Sequence, residues 1–343
     1  MLGKIEASSE ADRSAEQPGA TVATVRLLHL VLVLVALVAV FCLVEPRFAS
    51  RENISVIMDR AAIPLVLAIG ASFIILQGSI DLSIEGVMAV GSLVFALTIA
   101  NTRTGSDLGV AAFAVAAVAG GAFGLLNGLA VTLLRVPSFL VTLGTLLVAR
   151  GTALFITDGF PQRTWNASGQ WIARILVGDF YIGPFRVYAS LFWFAAAVVI
   201  LGYLLTATKY GNWILATGGN ANAARARGVD VSAVKVALFI LTAVMSALAG
   251  IISSIRTSAA NPNSGTGYEL EVIAMVVIGG TALTGGRGTI LGTVLGILIL
   301  RVMRNGIVLV GVPGLAYNIF IGAIILGMMA LHSGLERRHQ AGS

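Results

Sequence analysis

Charge is what this chain has least of. Of its 343 residues 11% are charged and 57% hydrophobic, whereas soluble domains run near a quarter charged. With a mean hydropathy of +0.93, the sequence reads as an integral membrane protein. Cysteine is almost absent: the single Cys42 lies in the first apolar run, which excludes an intrachain disulfide and a thiolate metal cluster. Only three histidines occur, His29, His332 and His339, at helix ends or tails, and none has a second ligand at metal spacing. No Ser-His-Asp constellation accompanies them, which argues against a membrane-embedded enzyme. No cofactor or metal is expected.

The phosphate-cradling motif Gly-x-x-x-x-Gly-Lys-Ser/Thr is also missing. The glycine-rich strings GGTALTGGRG and GGN carry no lysine placed for phosphates, so they read as tight turns and close helix packing. Any use of ATP has to come from a partner. Segments alternating between apolar and polar residues are lacking as well, which excludes a transmembrane β-barrel. The formal charge of +6 raises nucleic acid as a partner, but surplus Lys and Arg in a membrane protein is the signature of cytoplasmic loops. Nucleic-acid binding is therefore not expected.

What the chain has instead is glycine, 40 residues of it, among long apolar runs. Lipid gives helices no hydrophobic reason to associate, so small residues that let backbones approach supply the contact energy. The first run, Leu27 to Val44, is long enough for the roughly 17–25 residues that cross a bilayer, and no small-residue cleavage site follows it. Residues 45–60 read as an interfacial helix. Further spans are expected over 61–76, 84–100, 108–134, 139–156, 188–205, 236–255, 272–283, 290–310 and 315–331, ten in all. The fold expected is thus all-α, with breaks at 78–86 and 284–289 and a ninth span interrupted at Arg301, Arg304 and Asn305. Aligning Asp81-Leu82-Ser83-Ile84 with Glu269-Leu270-Glu271-Val272 also aligns Gly91 with Gly279. Such a match is either an inverted repeat of the kind transporters use or chance similarity between glycine-rich helices.

Ten crossings put both termini on one side. Lys4, Lys209 and Lys235 all fall there, and on the other side Arg47, Arg51 and Arg60 are offset by Glu45, Glu52 and Asp59. The termini are expected in the cytoplasm. The domain reading is a cytoplasmic tail over 1–25, a membrane domain over 26–335 and a short cytoplasmic tail over 336–343. Within it, residues 207–235 form the one long polar passage, KYGNWILATGGNANAARARGVDVSAVK at its centre, with Lys209, Arg225, Arg227 and Lys235 against a single acid, Asp230. It is either a solvated connector or a docking element. The alanines 221, 223, 224 and 226 permit a short helix that Asn220 can cap, and the arginines can pair with a partner's acids.

Inside the spans a few polar residues call for explanation. The acids Asp81, Glu85, Glu269 and Glu271 stand near span ends, where they either cap and anchor or line a solute path. Arg150 lies near the middle of the fifth span, and an intramembrane arginine normally faces the bundle interior with a partner. Asn127 and Asn305 either bond between helices or line the path. Asp81, Ser83, Glu85, Asn127, Arg150, Glu269 and Asn305 are the candidates for the translocation path.

Four ordered stretches carry a resemblance. These are GSIDLSIEGVMAVGS (78–92), NGLAVTLLRVPSFLVTLGTLLVARG (127–151), TGGNANAARARGVDV (217–231) and GYELEVIAMVVIGGTALTGGRGTILGTVLGILI (267–299). From about residue 45 to 331 the chain resembles the permease subunits of bacterial ABC importers for ribose and related monosaccharides. That resemblance implies an inner-membrane subunit without catalytic chemistry, working with a cytoplasmic ABC ATPase, a periplasmic sugar-binding protein and a second permease copy. It implies that Gly218, Gly219, Asn220, Ala223, Ala224, Arg225 and Gly228 couple to the ATPase. Departures from the family pattern are Ser79 and Glu85, where the family usually has glycine, and Ala226-Arg227 in the loop. The competing class is an ion- or proton-coupled secondary transporter, in which buried acids would be the coupling sites.

Overall fold

The computed structural model describes residues 18–100, 109–163, 171–317, 319–320 and 322–323. Twelve α-helices, two 3-10 turns, one β-hairpin and one short pair of strands distant in sequence make up the described residues. Helix α1 (Pro18–Val44) is followed by a 3-10 turn, then α2 (Arg51–Leu76), α3 (Ile84–Ala100), α4 (Gly109–Leu133) and α5 (Ser138–Thr157). Next come strand β1 (Gln162–Arg163), the short α6 (Trp171–Val177), strands β2 (Asp179–Ile182) and β3 (Phe185–Tyr188), and α7 (Ala189–Ala207). The polar passage folds as α8 (Lys209–Gly219) and α9 (Ala221–Ala226), and leads into α10 (Val231–Thr257). Strand β4 (Ala259–Ala260), α11 (Tyr268–Ile278) and α12 (Ile290–Leu309) complete the order.

Among the described residues seven helices are long and apolar enough to cross a membrane, with Ile84–Ile99 as a shorter apolar helix. The architecture is the all-α membrane bundle that composition implies. Several boundaries differ from the sequence reading. Residues 51–60 form no separate interfacial helix but the first turns of α2, because Ser50 caps that helix by accepting from the Asn53 amide at 3.2 Å. The expected eighth span shrinks to α11, whose 11 residues at 1.5 Å each reach only about half of a ~30 Å hydrocarbon core. Conversely α12 runs unbroken through Arg301, Arg304 and Asn305, since both arginines face the one acid Glu271 and need no broken backbone. Of the expected tail over 1–25, residues 18–25 are described and form the first turns of α1; of the expected tenth span, 315–317, 319–320 and 322–323 are described, and the rest, with the tail over 336–343, lies outside the described residues.

Helix α10 is the centre of the bundle. Gly120, Gly124 and Gly128 make a small-residue stripe on α4, and at each a Cβ would lie within 3 Å of α10, against Ala247, Phe239 and Val236 respectively. On its other side Gly250 meets the Met88 carbonyl of α3 just as closely, and Thr242 Oγ1 donates to the Gly70 carbonyl of α2 at 3.0 Å. Helix α2 is accordingly buried over nearly all of 61–76. By contrast α1, α5 and α7 carry exposed large apolar side chains, among them Leu43, Phe155 and Val199, as faces turned to lipid or to another subunit would.

At one end β1 pairs with β4, joining Gln162 to Ala260 and Arg163 to Ala259. The β2–β3 hairpin lies in the same long connection, closed by Arg186 Nε and Asp179 Oδ2 at 2.8 Å, and that guanidinium holds the Asp179 carboxyl below the usual carboxylate range. At the other end sit α8 and α9.

Candidate functional site: a polar loop, a glycine node and buried ion pairs

The loop is built by three side-chain caps. Thr208 Oγ1 accepts from the Gly211 amide at 3.4 Å, Asn220 Oδ1 from the Ala223 amide at 3.0 Å, and Asp230 Oδ1 from the Ser232 and Ala233 amides, each at 3.0 Å. Each cap satisfies helix N–H groups that have no intrahelical acceptor. Lys209 Nζ lies over the rings of Tyr210 and Trp213, 5.5 and 5.6 Å from their centroids. Gly228, at φ +84°, turns the chain out of α9 in a conformation that L side chains rarely adopt.

Gly218, at the end of α8, reaches into the bundle. A Cβ there would fall 1.9 Å from the Leu76 carbonyl oxygen and 2.5 Å from the Gly286 amide. Those two groups are themselves hydrogen-bonded, Gly286 N donating to Leu76 O at 2.8 Å. At Gly285 a Cβ would meet both Gly78 and Gly218 within about 3 Å. Three backbones therefore touch at one point: the loop, the turn between α2 and α3, and the turn between α11 and α12. Only glycine permits such an approach.

Beside this node a groove of about 840 Å³ opens, lined by Ser79, Arg135, Ser138, Arg225, Ser232 and Lys235 among others, with three cations and no acid. An acidic surface is its electrostatic complement. Ala224 is buried, while Asn220, Ala223, Arg225 and Arg227 are exposed.

Above the node a buried chain of hydrogen bonds begins at the start of α3. Asp81 Oδ1 accepts from the Ser83 amide at 2.8 Å and its hydroxyl at 2.6 Å. Asn127 Nδ2 donates to Ser83 Oγ at 2.9 Å, and Thr145 Oγ1 to Asn127 Oδ1 at 2.6 Å. Asp81 Oδ2 is buried without a partner among the described residues. One turn further on, Arg150 Nη2 and Glu85 Oε1 form an ion pair at 3.0 Å. Arg150 also donates to the carbonyls of Pro262 and Ser264, and Glu85 Oε2 accepts from the Gly267 amide at 2.7 Å. Glu269 lies beside Glu85. Asp81, Ser83, Asn127, Glu85, Arg150 and Glu269 thus stand in one column. Asn305 is elsewhere, donating to Asn53 Oδ1 at 2.7 Å.

A second set of buried charges joins residues that the sequence marks only separately, Glu271 near a span end and Arg301 and Arg304 within the ninth span. Glu271 holds Arg301 in a close ion pair, accepts from Tyr317 Oη at 3.1 Å, and faces Arg304 Nη1 at 3.4 Å. Asp59 pairs with Arg256 at 2.8 Å, rather than offsetting the neighbouring Arg60. The signal was present, since Arg301 and Arg304 within a span require a partner and Glu271 was in view, but nothing in the linear order matches one to the other.

The sequence pattern of the family described as "Branched-chain amino acid transport system / permease component" matches residues 53–329. The chain belongs to this permease family. Among curated proteins the permease is similar to the ribose import permease RbsC of Escherichia coli K12, at 34% identity over 87% of this chain and 90% of that one. RbsC of Bacillus subtilis 168 is 37% identical over 84% and 87%. The L-arabinose ABC transporter permease AraH of Azospirillum brasilense is 30% identical over 91% and 88%. The family description speaks of amino acids and these relatives of sugars, so membership alone leaves the solute open.

Proposed function

We propose that this permease is the non-catalytic membrane subunit of an ATP-driven importer that carries a ribose-like monosaccharide into the bacterial cytoplasm by alternating access. The relatives named for ribose and arabinose, each aligned over most of its length, support the solute class. The permease has no ATP-binding motif, so the energy enters from a separate cytoplasmic ATPase. A periplasmic sugar-binding protein delivers the solute, and a second permease copy completes the pore in the inner membrane. Both termini and the 207–235 loop face the cytoplasm.

The observation that carries this reading is the glycine node. Gly218 of the loop is in backbone contact with Leu76 and with the Gly285–Gly286 turn, so a displacement of α8 and α9 cannot be absorbed locally. It passes to α2 and α3 on one side and to α11 and α12 on the other. From the node α3 leads away, whereas α11 leads in, the opposed directions that an inverted repeat requires. Rigid-body rocking of these two arms would open the path alternately to the two faces.

A second reading, coupling to an ion gradient, is favoured by one feature: Glu85 and Glu269 lie together with a single cation, Arg150, between them. Reconstitution of the permease with its ATPase and binding protein separates the two. ATP-dependent sugar uptake is expected. Uptake that persists without ATP and follows an imposed proton or sodium gradient would overturn the ABC reading.

A further inference from the structure

At the end of the bundle away from the coupling loop a cavity of about 360 Å³ opens between helices, within the roughly 300–1,000 Å³ of small-molecule sites. Its charged and aromatic lining is Asp59 and Arg60 from the early turns of α2, Arg256 from the last turn of α10, Tyr268 from the start of α11, and Arg301 and Arg304 from the second half of α12, where the path candidate Asn305 also lines it.

The charges there do not balance. Four arginines line the cavity against one carboxylate, Asp59, and Glu271 behind the wall supplies one more. Two positive charges remain without a counter-charge, carried by the exposed Arg60 and by Arg304, whose side chain is 40% exposed. Most of the unmet hydrogen-bonding capacity has the same sign, two guanidinium Nε donors against one carboxylate oxygen, Asp59 Oδ1. Arg301, with its side chain 5% exposed, pairs with Glu271 but has no acceptor at Nε. Arg256 spends its other nitrogens on the Asp59 carbonyl and Ser190 Oγ, both at 2.8 Å, and likewise has a bare Nε. Arg304 approaches Glu271 only at 3.4 Å and lies over the Tyr317 ring at 4.6 Å. Arg60 is exposed and makes no hydrogen bond or close ion pair with a described residue. What this cavity lacks is acceptors that bring negative charge.

We infer that the cavity is a solute site on the permease itself, and that the sugar it takes carries a carboxylate. A carboxylate answers both deficits, because its two oxygens match the guanidinium fork and its charge offsets the surplus. The hydroxyls of the same solute can bond to Asp59, and the half-buried ring of Tyr268 offers a face for its carbon skeleton. A neutral sugar would supply acceptors but leave the charge uncompensated. The inference rests on the reading of the permease as a sugar importer and narrows the class of sugar.

The test uses the full chain in nanodiscs, with D-galacturonate and D-galactose as probes, which share a ring and differ in the carboxylate. Galacturonate is expected to bind at least tenfold more tightly, with an affinity that falls as salt rises. Arg60→Gln and Arg304→Gln, which leave the buried Glu271–Arg301 and Asp59–Arg256 pairs intact, should each weaken galacturonate binding at least tenfold while the unfolding temperature stays unchanged. Equal affinity for the two probes, binding of neither, or indifference to both substitutions would overturn the inference. Uptake by the reconstituted importer keeps the two readings apart. ATP-driven uptake of neutral sugars without any sugar acid defeats the acid site and spares the importer. Gradient-driven uptake defeats the importer while leaving galacturonate binding to stand or fall by its own measurement.

Discussion

Arg150 and Glu85 are each buried, with side chains 13% and 7% exposed, and neither is tolerable there without the other. Removing one member of a buried pair strands an uncompensated charge, at a cost of about 3–5 kcal/mol. Glu85→Ala and Arg150→Ala should therefore each destabilise the purified permease by that order. The double variant should lose clearly less than the sum, as read from thermal unfolding in nanodiscs. Additive losses would mean that the two side chains act independently. Arg150 does more than balance a charge, because its bonds to the Pro262 and Ser264 carbonyls tie the link between α10 and α11 to α5. The sequence singled out Arg150 by its depth in an apolar run, and could go no further. Which acid answers it is decided by packing of α3 along α5, where Gly86 meets Ala149.

Helix elements were legible wherever apolar length alone defines them, as in α4, α5, α7 and α10. They were misread where length and hydropathy disagree. Helix α11 looks apolar enough to cross, yet Gly279 and Gly280 end it after three turns, and its close approach to Gly292 and Gly296 of α12 is invisible in one strand of text. The 207–235 loop was legible as polar and capped by Asn220, whereas the node at Gly218 was not, since it needs three turns from distant parts of the chain. The arginine cavity escaped for the same reason, its cations coming from α2, α10 and α12. Glycine stripes give the packing claim a direct test. At Gly124 a Cβ would fall 2.5 Å from the Phe239 carbonyl, whereas at Gly121 the nearest atom is 3.5 Å away. Gly124→Ala should destabilise by about 1–3 kcal/mol through overpacking. Gly121→Ala should be neutral or stabilising, by up to about 1 kcal/mol from helix propensity. Thermal unfolding of the two variants measures the contrast, and equal effects would remove the stripe as the basis of the α4–α10 contact.

Across the whole molecule, the question is whether the loop only holds a partner or also transmits its movement. Three substitutions separate these roles. Arg225 lines the cationic groove with Arg135 and Lys235, so Arg225→Glu places an acid against a partner surface expected to be acidic. Association should weaken at least tenfold, about 1.4 kcal/mol, seen as loss of the ATPase on co-purification, while the permease remains inserted and folded. Arg135→Glu, outside the loop but in the same groove, should weaken it too, and higher salt should mimic both. Gly218→Ala acts differently, because its Cβ would fall against Leu76 O inside the node and not on the groove surface. That variant should keep the ATPase bound and hydrolysing while sugar uptake collapses. If Gly218→Ala instead releases the ATPase, or Arg225→Glu transports normally, docking and transmission are not divided between groove and node as the geometry implies.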